Sequence, residues 1–151
     1  MARHNKGFTL LELLVSATII VVLTVIGMVS YSSVNKRSRD VKRKSDLEQI
    51  RSALEMYRAD NGYYPAPPES TGGFGSVSAL SSILVSTYMP AVPTDPTYPK
   101  LDYWYTVTNL LSGQYYGYCV CSQLETITAP SSTCTAVSIP AGSCNYGLKS
   151  P

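Results

Sequence analysis

The sequence predicts an α+β chain: one long N-terminal helix packs on a small antiparallel β-sheet, and the C-terminal region is stapled by disulfides. Three observations carry that expectation. An apolar run over 8–29 continues, without a proline, into a polar stretch of helical period. Two aromatic and β-branched runs, 102–108 and 114–122, flank a glycine-containing turn. All four cysteines come late, at Cys119, Cys121, Cys134 and Cys144.

The leader comes first. Residues 1–7, MARHNKG, carry Arg3 and Lys6 and end in a small residue. In the apolar run that follows, Glu12 is the only charge. As a helix, 8–29 spans roughly 33 Å, enough to cross a bilayer core. A helix apolar on all sides for so long does not belong on a soluble domain. In an ordinary secretory signal the small-residue cleavage site follows the apolar stretch. Here the small residue precedes it, so a leader can be removed while the helix stays. A carboxylate inside a span is costly unless it is paired or used. The plainer reading of Glu12 is an acid near the helix end that reaches the interface.

These residues resemble a known family. The string Lys6-Gly7-Phe8-Thr9-Leu10-Leu11-Glu12 resembles the class III signal of type IV pilins and type II secretion pseudopilins. The resemblance implies cleavage between Gly7 and Phe8 by a prepilin peptidase that also methylates the new N-terminal amine of Phe8. It implies that Glu12 pairs with the free amine of a neighbouring subunit during assembly. It further implies a homo-oligomeric helical filament, built by a membrane assembly platform with a cytoplasmic ATPase from subunits held in membrane lipid. Physical chemistry agrees with the pairing. A buried ammonium and a buried carboxylate are each unfavourable alone and tolerable together. A misregistered subunit would leave one of them unpaired.

Residues 30–61 read as an amphipathic continuation of the helix. Val34, Val41, Leu47, Ile50, Leu54 and Tyr57, with Ala53 beside them, are read as one stripe packing on the chain's own domain. Glu48 with Arg51 and Glu55 with Arg58 are expected helical-neighbour ion pairs. Asp60-Asn61-Gly62, followed by Pro65, predicts the helix stop. The helix is therefore expected over about 8–60.

The basic cluster Lys36, Arg37, Arg39, Lys42, Arg43 and Lys44 is offset by Asp40 alone. Counting basic residues on either side of the span would put the C-terminal side in the cytoplasm. The late cysteines and the family resemblance place it outside, in a single-pass cytoplasmic-membrane protein that becomes a cell-envelope or extracellular filament. The cluster is then read as facing headgroups, a filament surface or solvent.

Residues 62–99 are expected to be largely loop, since they hold seven of the ten prolines and the break Gly72-Gly73-Phe74-Gly75. A short helix is expected within 77–88. The stretch Pro90-Ala91-Val92-Pro93-Thr94-Asp95-Pro96 resembles the Pro-x-x-Pro-x-Asp-Pro segment that precedes the sheet of pseudopilins and related pilins. The runs 102–108 and 114–122, joined through Leu111-Ser112-Gly113, read as a hairpin, with a third strand expected at 135–139. The helix stripe at 47–57 is the expected cover for this sheet. The domain 62–151 thus completes the plan of the pilin fold.

Four cysteines in a Ser/Thr/Pro-rich region point to disulfides in an oxidising compartment. A zinc site is the competing reading, and Cys-x-Cys followed by lone cysteines fits its usual spacing poorly. Cys119 and Cys121, two apart on a strand, face the same side, so each can reach either Cys134 or Cys144. Spacing does not choose the pairing.

Two departures from the family pattern stand out. The resemblance implies, for major secretion pseudopilins, an acidic and glycine-rich calcium loop near the C-terminus. Here Glu125 is the only carboxylate after Gln123, too few hard oxygens for calcium. Many type IVa pilins also carry a proline within the span, and this one has only Gly27.

The sole histidine, His4, lies in the leader, and no catalytic, phosphate-binding or metal motif is visible. No enzymatic role and no cofactor are expected. The twelve tyrosines are read chiefly as sheet formers. From Gly62 onward acidic residues outnumber basic ones, which disfavours nucleic acid. The leading expectation is a structural subunit of a type IV pilus-like filament. The alternative is a pseudopilin of a secretion or DNA-uptake system, and a remoter one is a membrane-anchored binding domain.

Overall fold

The computed structural model describes residues 7–67, 73–127, 134 and 144–151. The chain divides into two compact units, the first ending at Lys36 and the second running from Arg37 to Pro151. Helix α1, Leu10–Asn61, contributes to both.

In the first unit α1 begins two residues later than expected, because Thr9 caps it. Thr9 Oγ1 accepts from the Glu12 backbone N–H at 3.2 Å, and the Glu12 carboxylate accepts from the Thr9 N–H at 2.8 Å. This reciprocal exchange is a capping box and satisfies two donors that a helix start leaves open. Further along, Ser16, Thr18 and Thr24 donate their hydroxyls to the carbonyls of Leu13, Val15 and Ile20 at 2.7–3.0 Å. Polar side chains in the apolar segment are thus satisfied within the helix, as a lipid environment requires.

In the second unit α1 buries Leu47, Ile50, Ala53 and Leu54. Val41 does not share that face and is 62% exposed, and Val34, in the first unit, is exposed too. The reason is the spacing: six residues from Val41 to Leu47 are about 600° of turn, which places them roughly 120° apart. The expected single stripe is therefore two different faces. The helix ends at Gly62, whose φ of 84° lets its N–H return to the Arg58 carbonyl at 2.7 Å.

The sheet has the order β1-β2-β3-β4, all neighbours antiparallel. Strand β2 is Trp104–Leu111 and β3 is Gln114–Ser122. The turn between them is the two residues Ser112 and Gly113, both left-handed (φ 51° and 81°), the geometry that matches strand twist. Strand β1, Phe74–Ser76, pairs with Thr106 to Trp104, so part of the expected glycine break is a strand. Strand β4, Tyr146–Lys149, pairs along Ser122 to Cys119. The strand expected at 135–139 lies outside the described residues. The expected short helix is a 3-10 turn, Val77–Leu80, followed by α2, Ser81–Leu84; extended Val85 and left-handed Ser86 end it there.

Alternation along the strands gives the sheet two unlike faces. Tyr105, Tyr118 and Val120 join Leu47, Ile50 and Leu54 in the main core. On the other face Cys119, Cys121 and Cys134 cluster with Trp104 and Cys144. Two disulfides close there, Cys119–Cys134 and Cys121–Cys144. The architecture is the expected one: a long N-terminal helix, a small antiparallel sheet and a disulfide-paired C-terminal region.

Candidate functional site

The first group of candidate residues sits at the head of α1. Phe8 is 84% exposed, and Leu10, Leu11, Leu13 and Leu14 are exposed as well. The most apolar 18-residue window of the helix has a mean hydropathy of 2.6, and none of it is buried. A helix of this length and composition can cross a membrane. Glu12 lies among these residues, and its carboxylate accepts from the backbone and hydroxyl of Thr9 at 2.8 and 2.9 Å. Gly7 immediately precedes Phe8 in an open, non-helical segment.

The second group corrects the expectation that the whole basic cluster faces outward. Arg43 is fully buried. Its Nε and Nη2 donate to Asp95 at 2.7 and 3.2 Å, and Nη2 also donates to the Thr97 hydroxyl at 3.2 Å. Its Nη1 donates to Asp40 at 2.8 Å and to Glu125 at 2.9 Å. Arg39 makes a two-pronged contact with the same Glu125 at 2.7 and 2.6 Å. Asp40 in turn accepts from the backbone N–H groups of Glu125 and Thr126, both at 2.8 Å.

The electrostatics follow from these contacts. The Arg39 guanidinium, against the opposing effect of partial burial and with help from Arg43, holds the Glu125 carboxyl at about 2. Burial pushes the Asp40 and Asp95 carboxyls upward. Hydrogen bonds outweigh it, from Thr126, Glu125 and Arg43 to Asp40 and from Arg43 and Thr97 to Asp95, so both stay below the ordinary carboxylate range. The sequence did hold a signal. Asp95 and Glu125 are isolated carboxylates in segments with little charge, and such groups need partners when buried.

Of the two expected helical-neighbour pairs, one forms directly and one does not. Glu48 and Arg51 do pair, at 3.6 Å. Glu55 and Arg58 meet through Tyr64, whose hydroxyl accepts from Arg58 and donates to Glu55, each at 3.0 Å.

The calcium loop implied by the resemblance does not fit this chain. Both oxygens of Glu125 are engaged by guanidinium groups. Among the described residues no group of three or more His, Cys, Asp or Glu is placed to hold a metal ion.

An apolar N-terminal helix long enough to cross a membrane, continuing into a helix-covered sheet, defines a pilin-like subunit. Comparison with known proteins agrees. The prokaryotic N-terminal methylation motif matches residues 2–28, and the type II secretion system protein G family matches residues 31–115. The chain belongs to this family, within the structural pilins and pseudopilins.

A type II secretion system core protein G of Dickeya chrysanthemi is 29% identical over 104 residues, 68% of this chain and 60% of the relative. One from Escherichia coli is 28% identical over 96 residues, 61% of this chain and 66% of the relative. A type IV wide pilus major component of Thermus thermophilus is 30% identical over 84 residues, 56% of this chain and 64% of the relative. The chain thus spans less than two thirds of the length of these relatives. No solved structure matches it significantly. The matched region contains Arg43 and Asp95, whereas Glu125, β4 and both disulfides lie beyond it.

Proposed function

We propose that the chain is processed between Gly7 and Phe8, methylated at Phe8, and assembled as a structural subunit of a type IV pilus-like filament. The observation that carries this reading is the placement of Glu12. It is the sole charge at the head of an apolar helix that its own chain leaves bare. Exposed hydrophobic surface of this extent needs lipid or copies of itself. Cleavage would place an α-ammonium about one helical turn from Glu12, and pairing between neighbours would fix the axial register.

In this reading 1–7 is the leader, 8–29 the membrane and assembly segment, 30–61 the amphipathic continuation and 62–151 the outer domain. The partners are a prepilin peptidase and methyltransferase, membrane lipid before assembly, further copies afterwards, and an assembly platform driven by a cytoplasmic ATPase. The C-terminal domain lies outside the cytoplasmic membrane, where disulfides form. No catalytic role, cofactor or nucleic-acid partner is part of this reading.

A pseudopilin in a secretion system is the second reading. Its specific support is the family match and the predominance of secretion core protein G among the relatives. Intact mass and the N-terminal peptide, measured on protein from its native membrane, test the route common to both. A chain beginning at N-methylated Phe8 supports it. A chain that keeps residues 1–7, or is cut beyond the apolar run, overturns it.

A further inference from the structure

Three segments far apart in the chain converge on one guanidinium. Asp40 comes from α1, Asp95 and Thr97 from the loop before β2, and Glu125 from the segment after β3. A guanidinium has five N–H donors. Nε uses one on Asp95, Nη1 uses two on Asp40 and Glu125, and Nη2 uses two on Asp95 and Thr97. Every donor is matched, and the Arg43 side chain is wholly withdrawn from solvent.

Carboxylates brought together from separate segments repel one another unless a cation lies between them. Bound divalent ions commonly fill that role with oxygen ligands. Here the cation is covalently part of the helix, and Arg39 adds a second positive charge on Glu125. We propose that Arg43 is the built-in cation of this fold, and that it holds α1, the loop before β2 and the segment after β3 together without any divalent metal. The consequence is a subunit whose folding does not follow the calcium level around it. This inference stands whether the filament is a pilus or a secretion pseudopilus, because it concerns the folded unit alone.

The test is thermal unfolding of the full-length chain in detergent micelles, followed by circular dichroism. In about 5 mM calcium and in about 5 mM EDTA the midpoints should agree within about 2 °C. A larger fall in EDTA overturns the proposal. Arg43→Ala should lower the midpoint by about 10 °C or more in both buffers, while Arg37→Ala, on an exposed residue, should leave it unchanged. Should Arg43→Ala not fold, Arg43→Lys serves instead. An ammonium has three donors and cannot reproduce the fork, so its midpoint should fall in both buffers. An Arg43 variant as stable as wild type overturns the proposal.

Discussion

Arg43 and Asp95 stand 52 residues apart in the chain, yet their side chains meet at 2.7 Å with both fully buried. The pair ties the middle of α1 to the loop that leads into the sheet. An ion pair removed from water tolerates no loss of a partner, because the survivor is left charged and unpaired.

Asp95→Asn should therefore cost about 3–5 kcal/mol in a denaturant titration. Arg51→Ala breaks the solvent-facing pair with Glu48 and should cost under about 0.5 kcal/mol. Equal losses for the two variants would contradict the buried network.

Acid should undo the same network. Glu125 is held at about 2 against an ordinary 4.5, and Asp40 and Asp95 are held below 3.8. Depressed carboxyls stabilise the folded state above their unfolded values, and that stability is lost as pH falls through the folded ones. Urea midpoints should stay level from pH 7 to about 5, then drop steadily toward about 2. In Glu125→Gln the drop should be shallower and start from a lower plateau.

Glu12 has two candidate roles that one substitution separates. Gln at this position keeps the capping interaction with Thr9 but removes the charge. Glu12→Gln should still be inserted in the membrane and cut after Gly7, yet fail to yield sheared filaments. Normal filament yield from this variant would leave Glu12 a helix cap only.

The disulfide face offers a test of packing. A Cβ on Gly147 would lie 3.0 Å from Cys121 Cβ, 3.1 Å from the Val120 carbonyl and close against Cys134 Sγ. Gly147→Ala should destabilise by about 1–3 kcal/mol, measured by thermal or denaturant unfolding.

Replacing Cys121 and Cys144 together by serine frees β4 from a bridge across 23 residues. A loss of about 3 kcal/mol is expected, with faster amide exchange along Tyr146–Lys149 than along β2. Unchanged exchange in β4 would show that pairing with β3 alone holds it.

Local patterns were legible beforehand. The bare apolar segment, the helix stop at Gly62 and the run 114–122 each rest on neighbours in sequence. Strands β1 and β4 were not foreseen, since Gly75 and Gly147 break the β-like pattern and each strand is short. Val41 is expected on the buried face, but its six-residue gap to Leu47 turns it about 120° away. The basic cluster misled for a different reason: Lys36 and Arg37 are exposed, as a charged helix face should be, whereas Arg43 is buried.

The sequence by itself determined the membrane-type helix, the motif at Gly7, Phe8 and Glu12, the hairpin and the common face of Cys119 and Cys121. These follow from hydropathy and from periods of 3.6 and 2 residues, which act over a few positions. Only the tertiary structure decided that Cys119 takes Cys134 and Cys121 takes Cys144, and that Arg43 turns inward to three carboxylates. Those choices depend on which distant segments the closed sheet brings within bonding distance. A charge in sequence carries no mark of the partner that will neutralise it.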